Sequence, residues 1–370
     1  MAETLSFFLS EWEKCDPAGF GARAEKKETV LETIARVRLA DVAEAASALP
    51  LSELKTKVAA EAPPAIDFYA RLKAVDGMAV LAEIKRASPS KGLIAADTVA
   101  EEQGKTYAEA VAAAISVLCE PHWFKGSLND LKAVRAAVGA MGEEKRPALL
   151  RKDFLLDEYQ LWEARLYGAD TVLLIVAILD DATLAALMAA ARELGMEPLV
   201  EVANAPEMER ARALGARVIG INNRNLHDFT VNMDASTQLT AGLDKDGDTV
   251  FLALSGITGP SSVSPYRTAG LHGVLVGEAL MRADDVAAAI EGLRTVSAVA
   301  TVSLVLLSRT QHHRRPFRTN PGECCRSRRH RPCEPLMTEV SECQCRACRP
   351  GGRARPSVSG FLASWIPCIW

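Results

Sequence analysis

The sequence predicts an α/β protein of the (β/α)8, or TIM-barrel, class, and three observations carry that expectation. Between residues 79 and 280, eight short runs rich in Val, Ile and Leu begin 21 to 34 residues apart. Alanine- and leucine-rich segments with helical periodicity separate them, which implies βα units and a parallel sheet. The length, 370 residues, accommodates one barrel of about 250 residues with extensions at both ends. An open doubly wound sheet is the structural alternative.

Taken in order, Val30–Ala45 and Leu51–Ala60 read as amphipathic helices, and Asp67–Leu72 as a further short helical turn. Together they make residues 1–78 a helical extension, expected to pack across one mouth of the barrel. The strand candidates are Val80–Lys85, Ala114–Cys119, Ala148–Lys152, Thr171–Ala177, Glu197–Val202, Val218–Asn222, Val250–Ser255 and Gly273–Val276. Asp157–Tyr167 and Ala182–Leu194 exemplify the helices between them. These units define a barrel domain over 79–296. Beyond it, residues 297–370 are rich in Arg, Cys, Pro and Ser and show no sustained period. That tail is expected to be disordered or non-native, as a change of reading frame or splice boundary would produce.

Composition narrows the function classes. The apolar fraction of 49% is ample for a large core, and no run approaches the ~20 apolar residues of a membrane span. The N-terminus lacks the basic and apolar regions of a secretory signal. Beyond residue 300 stand twelve arginines, four glutamates and no lysine, a balance of +8. Against the whole chain's −4, residues 1–300 therefore carry −12, which argues against nucleic acid as their main partner. Nucleic-acid binding through the arginine-rich tail alone is a separate idea, and it requires strongly salt-dependent affinity. Cys15 and Cys119 are the two cysteines of the body, with seven more beyond residue 320. So few cysteines in the body point to a reducing, cytoplasmic location. Cys343, Cys345 and Cys348, with His330 and Cys333, lack a second pair at zinc-finger spacing, so no metal site is expected.

The most informative stretch is Glu83-Ile-Lys-Arg-Ala-Ser-Pro-Ser-Lys-Gly92. Glu83 and Lys85 end a buried strand on the same face, and charge is costly to bury without a use. Ser88, Ser90, Lys91 and Gly92 then offer hydroxyls, a cation and pliable backbone suited to a phosphate. The plain alternative is a structural ion pair before a solvated turn. Active sites of such barrels lie at the C-terminal strand ends. Collecting the polar residues there adds Lys152, Glu201, Asn222, Arg224, Ser255, Gly256 and Gly277. On the third strand, Lys152 shares a face with Leu150 and Phe154, and Arg151 with Asp153. Lys152 is taken as inward, because Arg151 and Asp153 can reach solvent or pair behind the sheet. Two lysines and two carboxylates around one pocket suit acid–base chemistry. Glycines before helix starts on strands seven and eight match the usual barrel phosphate site.

The segments Ala82–Gly92, Ser116–Asp130, Arg151–Gln160, Gly168–Leu179, Gly220–Leu226, Ala253–Ile257 and Val276–Met281 resemble those of indole-3-glycerol phosphate synthases. The resemblance runs from about Val30 to Leu293, and the Ala-Leu-Ser-Gly-Ile form at strand seven is similar to the fungal version. It implies ring closure of 1-(2-carboxyphenylamino)-1-deoxyribulose 5-phosphate with loss of CO2 and water, and no metal or organic cofactor. Lys152 is implied as general acid and Glu201 as acid–base partner. Lys85 would hold the substrate carboxylate and could donate a proton, with Glu83 orienting the lysines. Asn222, Arg224 and Ser255 would bind hydroxyls or carboxylate. Ser88, Gly256 and Gly277 fall where the family binds phosphate. Pro89, Phe154 and Leu173 would line the apolar pocket for the aromatic ring. The partner implied is a small phosphorylated molecule, with association or ancestral fusion to other tryptophan-pathway enzymes.

The sequence departs from the family pattern at four places. Leu254 stands where many members have Glu, Cys119 where Thr is usual, Val111 where Gly is frequent, and Glu278 where bacterial members have Ser. None of these removes a residue assigned to the chemistry. The neighbouring pathway isomerase shares the fold but needs a Cys and an Asp at strands one and seven. Here those strands end in Glu-Ile-Lys and Leu-Ser. A non-catalytic phosphate-ligand binder is the alternative from a different class.

Overall fold

The computed structural model describes residues 29–225, 230–244 and 247–296. Cys15, Leu226, the segment 297–370 and its Cys343–Cys348 group lie outside the described residues.

Three helices precede the barrel: α1 (Val30–Ala48), α2 (Leu51–Glu61) and α3 (Phe68–Lys73). Thr29 and Glu32 start α1 with a reciprocal cap, each side chain accepting from the other's backbone N–H. The extension does more than cover one mouth. At the C-terminal end of the strands, Arg38 of α1 clamps Asp153, just after the third strand. At the opposite end, Phe68 and Leu72 of α3 pack under Ala113, Ala148, Leu199 and Val250. Pro63 and Pro64, which disfavour helix in the residues before them, lie in the extended stretch between. Arg165 and Arg146 bind their carbonyls.

Eight parallel strands follow: β1 (Ala79–Ile84), β2 (Ala114–Leu118), β3 (Ala148–Lys152), β4 (Thr171–Ile175), β5 (Leu199–Val202), β6 (Val218–Asn222), β7 (Val250–Leu254) and β8 (Gly273–Val276). Each pairs with its neighbour in sequence, and β8 closes on β1 with Ala79 opposite Gly273 and Ala82 opposite Val276. The closed ring rules out the open sheet. Around it lie α4 (Ala100–Glu109), α5 (Leu128–Gly139), α6 (Glu158–Leu166), α7 (Asp181–Glu193), α8 (Ala205–Ala213), α9 (Ala235–Leu239), α10 (Pro260–Thr268), α11 (Glu278–Met281) and α12 (Val286–Arg294).

Two strands are shorter than their apolar runs suggest. β4 stops at Ile175, where Val176–Ile178 tightens into a 3-10 turn. β5 starts at Leu199 because Pro198 has no N–H for the ladder, and Glu197 is engaged outside the barrel by Arg192 and Arg217. Period-2 alternation divides every strand. Leu81, Leu150, Leu173, Leu199, Leu252 and Leu275 fill the interior, while Val80, Val117, Leu149, Val200, Ile219 and Val274 face the helices. Arg151 follows the outward set and, of the two expected courses, takes pairing behind the sheet, fully buried, over solvent. It pairs with Asp153 at 2.9 Å and with Glu163 of α6 at 3.2 Å.

Candidate active site

The inward parity that packs leucines through the barrel core delivers polar side chains at its C-terminal rim. Glu83 and Lys85 continue the face of Leu81, and their side chains pair at 2.7 Å. Lys152 continues the face of Leu150, Glu201 that of Leu199, and Asn222 that of Gly220. Lys152 Nζ stands 3.8 Å from Glu201 Oε2. Asn222 Nδ2 donates to Glu201 Oε1 at 2.8 Å, and Asn222 Oδ1 accepts from the Arg224 N–H at 2.9 Å. Glu201 Oε2 is buried and has no hydrogen-bond partner, so one carboxylate oxygen is anchored and the other is left for the cavity.

These groups line one cavity of about 580 Å³. Every residue expected at the site borders it except Leu173 and Gly92 of the loop after β1. Leu173 is fully interior and pairs in register with Leu199, one layer below. Ile175, two residues on and opposite Glu201, supplies the wall instead. The apolar side is completed by Phe154 and Phe124, whose rings lie 6.0 Å apart and tilted. A smaller cavity of about 280 Å³ shares Glu201 and Asn222 as a wall.

Electrostatics bind the rim together. Burial opposes ionisation of Glu83, but the Lys85 and Lys152 ammonium groups and the Lys85 hydrogen bond outweigh it and hold the carboxyl below the usual range. Gly277 has a steric reason to be glycine. A Cβ there would overlap Glu83 Oε1 and lie 3.1 Å from Lys85 Nζ. Leu254, in place of the frequent glutamate, is buried and fills the space beside Gly220. Cys119 points away from the cavity into the outer core, and burial pushes its thiol up, so it supplies no acid–base group here.

The loop after β1 folds into a small hairpin, Ala87–Ser88 against Gly92–Leu93, that brings Ser88, Pro89 and Lys91 over the cavity. Arg86 anchors its base through two 2.8 Å bonds to Asp130. Ser90 and Lys91 of this loop also border the cavity, and Phe124, Ile175, Met233 and Arg282 border it beyond the residues named from sequence. Of these, Arg282 was within reach of sequence reasoning. It lies one turn after Glu278 and pairs loosely with it at 3.5 Å.

The family model for indole-3-glycerol phosphate synthase matches residues 31–293. The chain belongs to this family. Its fungal relatives are longer proteins: it is 51% identical over 275 residues to a "Multifunctional tryptophan biosynthesis protein" of Phanerodontia chrysosporium, covering 73% of this chain and 34% of that one. The same name and 51% identity hold for a Schizosaccharomyces pombe protein, over 72% of this chain and 35% of the relative. The chain thus spans about a third of the length of these fungal proteins. A single-activity relative, the "Indole-3-glycerol phosphate synthase" of Roseiflexus castenholzii, is 44% identical over 72% of this chain and 98% of its own length.

Proposed function

We propose that the chain closes the indole ring of 1-(2-carboxyphenylamino)-1-deoxyribulose 5-phosphate, releasing CO2 and water. The observation that carries this reading is the facing of Lys152 and Glu201 Oε2, which accepts no hydrogen bond, in one cavity with a phosphate-compatible rim and an aromatic wall.

An aromatic carbon is a weak nucleophile, so its carbonyl target needs a proton and a dry site. Lys152 gives that proton to the carbonyl oxygen as the ring carbon bonds to the carbonyl carbon. Loss of CO2 from the same ring carbon restores its electrons. Glu201, oriented by Asn222, then moves the protons that let the new hydroxyl leave as water. Lys85 holds the substrate carboxylate, and Glu83 fixes Lys85 and faces Lys152. Arg224 and Ser255 take hydroxyls or carboxylate, and Ser88, Gly256 and the residues around Gly277 receive the phosphate. Phe154, Pro89 and Ile175 enclose the aromatic ring.

The unpaired Cys119 supports a reducing, cytosolic setting, and among the described residues no helix is long and apolar enough to cross a membrane. The printed name of the fungal relatives supports fusion or association with other tryptophan-pathway enzymes. Steady-state indole fluorescence with parallel CO2 release tests the activity. We expect one CO2 per indole product. Tight binding of a substrate analogue without turnover identifies a binder instead.

A further inference from the structure

We propose that Asn223, the outward neighbour of Asn222, is a positioning residue that holds the Ser255–Gly256 turn in the shape that receives the substrate. The proposal rests on reading the large cavity as the substrate site. Asn223 is 2% exposed, and a buried amide needs a partner for each of its polar atoms. Nδ2 donates to the Ser255 carbonyl at 3.2 Å and to Tyr266 Oη at 2.9 Å. Oδ1 accepts from Ser236 Oγ at 2.7 Å and from the Ser236 N–H at 3.2 Å. A carbonyl on one side and an N–H on the other fix which amide atom is which. Tyr266 Oη in turn donates to the Met233 carbonyl at 2.8 Å. Burial pushes the phenol up to about 12, so it keeps the proton it donates.

What this hub holds is strained. Ser255 has φ 67° and Gly256 φ 77°, two consecutive left-handed residues at the end of β7. For serine that region is unfavourable and persists where surroundings over-determine it. The Asn223 amide on the Ser255 carbonyl is such a determinant. Met233 and Val231 close the other side of the turn, and Val231 Cγ1 would lie 2.9 Å from a Cβ on Gly256. Asn223 therefore connects β6, β7, α10 and the Met233 segment, of which Ser255, Gly256, Val231 and Met233 border the cavity.

The test compares the full-length wild type with Asn223→Ala, Ser255→Gly and the double variant, by indole fluorescence with inorganic phosphate as competitor. Wild-type turnover tests the ring-closure reading by itself. If the wild type is inactive, phosphate binding by calorimetry makes the same comparison. In Asn223→Ala we expect KM and the phosphate inhibition constant to rise together by about tenfold, with kcat within about threefold. Ser255→Gly should cost less in the Asn223→Ala background than in the wild type, because glycine takes the left-handed turn unaided. A folded Asn223→Ala with both constants within about twofold of wild type overturns the proposal, as does an equal cost of Ser255→Gly in both backgrounds. If Asn223→Ala does not fold, Tyr266→Phe carries the test. It should raise both constants together by about threefold, and unchanged constants overturn the proposal equally.

Discussion

Glu83 and Lys85 pair at 2.7 Å in the space that Gly277 leaves by having no side chain. The glycine at the end of β8 thus serves the charged rim as much as any phosphate. Gly277→Ala should displace Glu83 and lower kcat by about tenfold or more. A role confined to phosphate contact would instead raise KM at unchanged kcat. Steady-state kinetics of this one variant separate the two.

The depressed pKa of Glu83 makes a statement about acid stability. Because its folded pKa lies below the ordinary 4.5, the ionised carboxylate contributes stability that is complete above about pH 4.5 and is lost as pH falls through the folded value. Denaturant titrations of wild type and Glu83→Gln should show a constant gap from pH 7 to about 5 that narrows on further acidification. A gap that widens toward low pH contradicts the account.

Arg38 reaches from the extension to the backbone that carries Lys152. Its Nε and Nη2 bind the two Asp153 oxygens at 3.1 and 2.8 Å, and Asp153 Oδ1 also accepts the Phe154 N–H. Arg38→Ala leaves the buried carboxylate with only Arg151 and the Phe154 N–H. Breaking such a pair costs about 3 kcal/mol, measurable by chemical denaturation, and Arg38→Lys should recover only part because it cannot make the forked contact.

Val111 occupies a left-handed position, φ 60°, on the surface between α4 and β2. A β-branched residue there is strained by about 1–2 kcal/mol, of which glycine's extra unfolded-state entropy would offset part. Val111→Gly should therefore stabilise the fold by about 0.5–1 kcal/mol with activity unchanged. A lower melting temperature would show that the strain is not felt.

The barrel was legible because eight apolar runs recur 21 to 34 residues apart with helical segments between them. Parity then set Lys152 and Arg151 on opposite faces, and the room for Arg151 and Asp153 to pair behind the sheet chose Lys152 as inward. Parity gives a face but not a height along the barrel axis. Leu173, which the family resemblance implied at the cavity, has the inward face but lies one layer below the wall that Ile175 forms. Arg151 shows the reverse limit: its outward direction could be read, but its complete burial depends on Asp153, Gln160 and Glu163. Asn223 was hidden for the same reason. Its four side-chain hydrogen bonds go to residues 236, 255 and 266, which only the closed ring brings together. The strained Val111, by contrast, was marked in the sequence as a departure from glycine, and the backbone supplied its meaning.

Lys152, facing Glu201 Oε2 at 3.8 Å, is the proposed acid of ring closure. The most direct test is the single-turnover rate of Lys152→Ala at saturating substrate, with thermal unfolding to confirm its fold. We expect a loss of about 10²–10⁴-fold with substrate affinity largely kept, as removal of a general acid requires. A folded Lys152→Ala that closes the ring within a few-fold of the wild-type rate would contradict the account.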